Sequence, residues 1–364
     1  MAHYNYADIL SSSDDEDIIN ILYRRPRIFK ERVNYFIELD DIEFKIRFRL
    51  NKETVITILN HIHGELVFRT ERNNAISPMC QLLLTLRLYA TGSFLITMGD
   101  FGGVSTTSAQ RIVHRVSEAI ARLRPRYIHF PSTEEEIRRE QLKFYNIARF
   151  PKIVGCIDCT HIRVQSFGGP DAELYRNRKG FFSLNVQAVC DANLEITDIV
   201  ARWPGSVHDS TIFHNSRLRA NFENHMYRNA LLLGDSGYPS KSYLLTPLLN
   251  PERPAEIVYN QAHIRTRNII ERLFGIWKRR FPILALGMRY KLQRIMTIIV
   301  ATAVMHNIAR RNADEDPPED PTLNLPAPWD HIINEGYINN EINVQNNANA
   351  TRTQIINDYF QRLV

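Results

Sequence analysis

Through the first third of the chain, apolar residues recur at helical spacing. Val55, Ile58, Leu59 and Ile62 share one side of a helix predicted over Leu50–Ile62. Met79, Leu82, Leu83, Leu86, Tyr89 and Ala90 form the face of a second helix, which Pro78 opens and Gly92 closes. A short segment Ser93–Phe101 and a Gly102-Gly103 turn lead to a third. There Ala109, Ile112, Val113, Val116, Ala119, Ile120 and Leu123 make a stripe over Thr107–Leu123, with Thr107 and Gln110 as a T-x-x-Q capping box. Pro125 and Pro131 bracket the exit from this helical region.

Beyond Pro131 the period shortens to two. Ile153–Asp158 and His161–Gln165 read as short strands, and Leu184–Cys190 and Leu194–Trp203 as a hairpin turning at Asp191-Ala192-Asn193. Ala230–Asp235 has the unbroken apolar run of a buried central strand. Helical spacing returns in Arg265–Phe281, through Ile270, Leu273, Phe274, Trp277 and Phe281, and in Leu292–Ala309, before prolines 317, 318, 321, 326 and 328 end it. The pattern divides the chain into an N-terminal segment (1–40), a helical region (41–130), a mixed α/β region (131–312) and a tail (313–364). The tail is rich in Asn and acids, and it reads as largely disordered or partner-bound.

Composition sharpens this picture mainly through charge. The chain carries a net +5, but Met1–Tyr23 contributes −5 and Ala313–Val364 contributes −7, so Arg24–Asn312 alone carries +17. A basic body between acidic tails points to a polyanion partner; charge spread evenly for solubility is the alternative. The four cysteines do not make a disulfide scaffold, which favours a reducing compartment. No membrane-length apolar run and no signal-peptide pattern stand out, so a soluble intracellular protein is expected.

The residues able to carry chemistry are acids. Asp158 ends VGCIDCTH, Asp235 ends the strand of LLLGDSGYP, Asp209 follows the Pro-Gly turn of WPGSVHDS, and Glu271 lies in RNIIERLFGIWKRRF. Carboxylates at the carboxyl ends of neighbouring strands converge on the crevice where mixed α/β sheets place ligands. Each has an ordinary alternative: Asp209 as a helix cap, Asp235 as a turn former, Glu271 as a surface acid paired with Arg267 or Arg272. Together, packed carboxylates call for a cation, and an all-oxygen set favours Mg²⁺ or Mn²⁺.

Several long segments resemble one family. GCIDCTHIRV, YRNRKGFFSLNVQAVCDANLEITDIVARWPGSVHDSTIF, LLLGDSGYPSKSYLLTPL and YNQAHIRTRNIIERLFGIWKRRF look like PIF/Harbinger transposases and their domesticated, Harbinger-derived nuclease relatives of the DDE superfamily. The likeness runs in order from about Phe48 to Asn312 and includes MGDFGGVSTTSAQRIVHRVSEAI. The resemblance implies an α+β or α/β fold, with an RNase H-like catalytic core preceded by a helical, helix-turn-helix-type region. Residue by residue, it assigns Asp158, Asp235 and Glu271 to the catalytic triad and Asp209 to a further metal ligand. It also implies a divalent cation, two ions by expectation, cleavage of DNA to leave a 3′-hydroxyl, and possible strand transfer. A domesticated host factor that binds DNA or protein without catalysis is the alternative.

The remaining expectations follow from charge and helix faces. Arg176, Arg178 and Lys179 in RNRKG and the run Lys278, Arg279 and Arg280 are candidate phosphate contacts, though a basic helix end also suits the helix dipole. Ser108, Gln110, Arg111, His114 and Arg115, on the non-core face of Thr107–Leu123, are candidate DNA contacts of a recognition helix. The alternative is a bundle that only packs against the nuclease. Cys156-x-x-Cys159 with His161 lacks a second pair at zinc spacing, while His161 and His208 neighbour the acids as orienting or structural groups. The family likeness adds a nuclear location, a Myb-like (SANT) protein partner and possible homo-oligomers on DNA. Acidic Asp14–Asp17 and Asp314–Asp320 are candidate docking segments, and Arg24–Arg32 is basic enough for nuclear import.

Overall fold

The alternating residues of Ser183–Cys190 and Ile196–Pro204 form the antiparallel hairpin the pattern predicts, turning where Asp191 accepts hydrogen bonds from the backbone of Asn193 and Glu195. In the computed structural model, which describes residues 31–68, 70, 74–318 and 350–364, these are strands β2 and β3. The acidic segment Asp14–Asp17 lies outside the described residues, as do Arg24–Arg32 up to residue 30 and positions 319 and 320 of Asp314–Asp320.

β1 (Ile153–Arg163) is one long strand rather than two short ones. Its second half carries Thr160, His161 and Arg163, which break the apolar alternation, but antiparallel pairing with β2 runs unbroken from Cys156↔Cys190 to Arg163↔Ser183. β4 (Leu231–Leu233) pairs parallel to β1, and β5 (Leu244–Leu245) parallel to β4, giving the order β3-β2-β1-β4-β5 in one mixed sheet. At Val154–Gly155 the β1–β4 register gains a residue, so Ile153 and Cys156, three apart, enter the same core. Gly155 allows the close approach: a Cβ there would stand 2.7 Å from Val189 Cγ1.

Helices α1 (Asp41–Phe48), α2 (Lys52–Leu66), α3 (Pro78–Thr91), α4 (Leu95–Phe101), α5 (Thr106–Arg122) and α6 (Glu134–Ala148) precede the sheet. Pro78 opens α3 and Gly92, at φ 61°, closes it as the sequence predicts. α5 instead begins one residue early, capped by Ser105 accepting from Ser108 N at 3.2 Å, so the serine hydroxyl two residues before Thr107 supplies the cap in place of the threonine box. After β3 come α7 (Asp209–His214) and α8 (Arg217–Glu223). Then α9 (Pro254–Arg280), α10 (Leu292–Arg311) and α11 (Ala350–Asp358) follow the strands.

The sheet lies between two apolar cores. On one face, Cys156, Ile162, Leu184, Val186, Ala188, Leu231 and Leu233 meet Ile270, Leu273 and Trp277 of α9 and the buried side of α10, in a core continuous with α1–α5. On the other, Val154, Ile157, Val189 and Leu232 meet Phe213 of α7 and Leu218 and Phe222 of α8. The described residues from Val33 onward belong to one compact unit. α10 is long and apolar enough to cross a membrane, with mean hydropathy 1.3, but two-thirds of that stretch (67%) is buried inside the protein. α9 starts eleven residues before the predicted Arg265; the buried face of the added part is Ala255, Tyr259, Ala262 and His263, which lacks the large aliphatic residues that mark a helical stripe.

The far end of the acidic tail departs from its disordered reading. Ile355, Ile356 and Phe360 are buried, and Phe360 packs edge-on against Phe150 and Tyr259 at 5.2 and 5.5 Å between ring centres. Tyr359 donates its hydroxyl to the Arg149 carbonyl at 2.8 Å. Two apolar residues on α11 and one in the 3-10 turn Phe360–Leu363 after it are too few to register as a pattern, yet enough to dock the segment on α9.

His306 and Asn307 of α10 join the helical region to the hairpin. The His306 Nε2 bonds the Leu194 carbonyl at 2.8 Å, and Asn307 bonds the Tyr127 carbonyl and both polar groups of Ile196. Burial holds the His306 imidazole down at about 3, below its ordinary 6.5. The folded chain therefore binds fewer protons here than the unfolded chain. The group costs nothing above about pH 6.5 and progressively more as pH falls toward its folded value. His306→Gln is expected to be the less stable protein near pH 7.5 and to gain about 3 kcal/mol on wild type between about pH 6.5 and pH 4. Urea denaturation across that range measures the difference, and a constant gap would contradict it.

Candidate active site

Strand register brings the first two acids together. Cys156 is opposite Leu233 in the parallel β1–β4 pair. Two residues further along each chain stand Asp158 and Asp235, just past the carboxyl end of β4 and on the side that faces α9. Asp158 is therefore mid-strand in β1, paired with Ala188, and not at a strand end as the sequence predicts; it is β4 that ends. Around Asp158, Cys156 donates its thiol to the Thr266 carbonyl of α9, and Thr160 receives Lys278 Nζ at 2.6 Å. The strand thus presents residues 156, 158 and 160 to one helix. Asp158 Oδ1 accepts from Cys159 N at 2.7 Å, and Asp235 Oδ1 from Gly237 N at 3.0 Å.

Asp209 is delivered by the turn after β3. It is the first residue of α7, and its Oδ1 accepts from the Asn185 amide at 2.8 Å. Asn185, buried in β2 amid apolar neighbours, also bonds the Val207 carbonyl at 2.8 Å, so one side chain fixes both the turn and the acid. Sequence reading missed it, and its only signal is an amide at a core position of an alternating strand. Gly205 lets the turn close: a Cβ there would lie 2.6 Å from the Tyr175 carbonyl oxygen and 2.7 Å from that of Ser183. Backbone oxygens cannot step aside as side chains do. Gly205→Ala is expected to cost about 2 kcal/mol in denaturant unfolding, and wild-type stability would overturn this reading.

Glu271 completes the group from α9 and is 21% exposed, its Oε1 2.5 Å from Arg267 Nη2. The other arm of the same guanidinium, Nη1, donates to Asp158 Oδ2 at 2.8 Å. Arg267 is 2% exposed. The local pairing of Glu271 with Arg267 was legible as a four-residue spacing. The bridge to Asp158, 109 residues earlier, was not.

The electrostatics fit crowded carboxylates. Burial pushes Asp158 up to about 8; Arg267 pulls it back, while Asp235 and Asp209 add to the rise. Burial likewise raises Asp235, with Asp209 reinforcing and Arg267 opposing. Acids that raise one another's proton affinity, offering oxygen donors, have the chemistry a hard divalent cation satisfies. Among the described residues, no three of the His, Cys, Asp or Glu side chains are already spaced as a coordination sphere. The donor types fit Mg²⁺ or Mn²⁺, and Glu271 is turned to Arg267.

The candidate cations divide by burial. Arg176, Arg178 and Lys179 are exposed on the loop between β1 and β2, which buried Asn177 holds by accepting from Lys179 N and Phe181 N. Arg176 is tied to Glu173 at 2.7 Å, and Arg178 to His208 Nδ1 at 2.9 Å. Lys278 and Arg280 are a correction to the surface reading: they are 4% and 0% exposed. Lys278 bonds Thr160 and the His161 carbonyl, and burial lowers it to about 8; Arg280 pairs with Asp314. Arg279 is half-buried. A sequence shows a basic helix end but not what covers it.

On α5, Arg111 and Arg115 are exposed, and Arg115 lies 4.4 Å over the Phe68 ring. Ser108 is tied to its cap, and His114 pairs with Glu118 at 3.3 Å. Gln110 and His114 line a small recess facing Tyr290 and Arg294 and are partly covered. Cys156 and Cys159 fall on opposite sides of β1, the former bonding the Thr266 carbonyl and the latter Tyr238 at 3.3 Å. His161 bonds Ser183 at 3.0 Å and is lowered by burial.

A mixed sheet with acids gathered past β4 and a glutamate on the following long helix defines the class. The DDE superfamily endonuclease family matches residues 157–307. Among curated proteins, "Putative nuclease HARBI1" of Bos taurus and of Homo sapiens are each 38% identical over 243 residues, covering 66% of this chain and 69% of theirs. "Protein ALP1-like" of Arabidopsis thaliana is 25% identical over 303 residues, covering 77% of this chain and 73% of its own. No solved structure matches. The chain belongs to the Harbinger family of the DDE superfamily and carries its endonuclease domain.

Proposed function

We propose that this protein is a divalent-metal-dependent DNA nuclease of Harbinger transposase type with an RNase H-like core. The observation that carries the reading is the gathering of Asp158, Asp235 and Asp209 at one end of the sheet, within reach of one another's charge and beside Glu271. Asp158, Asp235 and Glu271 would act as the DDE set, with Asp209 as a further ligand held by Asn185. Bound there, Mg²⁺ or Mn²⁺, in two sites, would supply an activated water and stabilise the leaving oxygen of a phosphodiester. Arg178 and Lys179 on the exposed loop are placed to hold the DNA backbone.

α4, the turn Gly102–Ser105 and α5 make up the proposed helix-turn-helix, with Arg111 and Arg115 its free-facing cations. A nuclear location, a Myb-like partner, homo-oligomers on DNA and strand transfer belong to the same proposal. The competing reading is a host factor that binds DNA without cutting it. It is favoured by one observation: Arg267 already pairs with two of the acids. The deciding test is cleavage of plasmid and duplex DNA with Mg²⁺ or Mn²⁺ by wild type, Asp158→Asn and Glu271→Gln. Cleavage lost in both folded variants supports the nuclease, whereas DNA binding by a wild type that never cleaves supports the host factor.

A further inference from the structure

Arg267 occupies an unusual position for a charged side chain. It is 2% exposed, and its guanidinium spans from the middle of β1 to the next turn of its own helix, touching Asp158 and Glu271 with separate nitrogens at 2.8 and 2.5 Å. That is the planar two-armed geometry by which arginine binds two oxygens at once. The oxygens it takes belong to the same two acids that a divalent ion would use. Each N–H takes a lone pair from an acid that an ion would use, and the buried positive charge opposes a second cation held about 2.1 Å from the same carboxylates.

We infer that Arg267 is the resident cation of this carboxylate cluster, holding Asp158 and Glu271 together without metal and leaving Glu271 when a divalent ion binds. The inference rests on the metal-dependent reading above and adds to it a positioning residue that sets how strongly the ion is held. The guanidinium keeps its charge at all working pH values, so only displacement can release the acids. Removing it leaves the same carboxylates with one positive charge fewer, which strengthens their hold on a divalent ion. A merely structural arginine would have the opposite effect, because losing it would disorder the ligands.

The test is Mn²⁺ titration of the full chain, with free Mn²⁺ read by electron paramagnetic resonance and thermal midpoints recorded alongside. Wild type, Arg267→Gln and Arg267→Lys are compared. Arg267→Gln is expected to bind Mn²⁺ about tenfold more tightly or better and to have a lower metal-free midpoint. Its midpoint should rise more on Mn²⁺ addition than that of wild type. Arg267→Lys keeps the buried charge but cannot bridge both acids. It should fall between the two, and it is the variant to read if the glutamine form does not fold. Tight binding that disappears in Arg267→Gln/Asp158→Asn places the ion on this cluster and supports the inference, as does Mn²⁺ binding by the variant but not by wild type. Equal or weaker Mn²⁺ binding by both variants overturns the inference and leaves the metal-dependent reading standing. No Mn²⁺ binding by any form overturns both.

Discussion

Asp158→Asn is expected to lower DNA cleavage by about a thousandfold or more, roughly 4 kcal/mol of transition-state stabilisation, while the protein stays folded. Asparagine has the shape of aspartate, so the amide oxygen can still accept the Cys159 N–H that holds Oδ1 at 2.7 Å. The other arm changes character. An –NH₂ group replaces Oδ2 and meets Arg267 Nη1, donor against donor, where the wild type has an ion pair at 2.8 Å. Against that loss stands a gain, because burial already pushes the Asp158 carboxyl up to about 8 and a neutral amide escapes that cost. The two effects oppose, and the net change in stability should stay within about 1 kcal/mol. Activity and stability are therefore separable in this variant. Cleavage assays with Mg²⁺ and Mn²⁺, beside urea denaturation, measure each. Wild-type cleavage by a folded Asp158→Asn protein would remove Asp158 from the catalytic set.

Asp158 was legible because an acid follows the apolar run VGCI, and Asp235 because LLLG precedes it. Their convergence at one end of the sheet was expected; what could not be read was how it is reached, through the parallel register Cys156↔Leu233 and the extra residue at Gly155, with Asp158 in mid-strand. The hairpin after Asp191 was equally plain, since its alternation is local. The contacts that finish the site are all distant in sequence. Asn185 reaches Asp209 over 24 residues, Arg267 reaches Asp158 over 109, and Lys278 reaches Thr160 over 118. The basic run at the end of α9 misled for the same reason: a pattern of charge is local, and the chain that buries it is not. The tail after Asn312 read as largely disordered or partner-bound because it is rich in Asn and acids, yet its first acid, Asp314, is buried.

That acid yields the largest stability effect. Asp314→Ala is expected to destabilise the protein by about 4 kcal/mol, because it strands Arg280, which is fully buried. Arg280 closes α9 against two other segments, the turn at Arg49 and the stretch Asp314–Asp316. Its Nη1 donates to the Arg49 carbonyl at 3.2 Å and lies 3.6 Å from Asp314 Oδ1, and its Nη2 donates to the Glu315 carbonyl at 3.0 Å. Asp314 in turn accepts from Asn51 N at 2.9 Å, where α2 begins. Removing the carboxylate leaves a guanidinium that cannot lose its proton, and an uncapped N–H as well. Asp316 offsets part of this loss from 4.0 Å, though it is already bonded to Arg310 at 2.7 Å. The pair is costly to bury even when intact, so Arg280→Met with Asp314→Leu should recover most of the stability lost by the single variant. Urea denaturation of Arg280→Met, Asp314→Leu and the double variant closes the cycle, with Asp314→Ala measured beside them. A single variant as stable as wild type would mean that the backbone carbonyls alone satisfy Arg280. A double variant no better than the single would place the loss at the Asn51 cap rather than at the stranded charge.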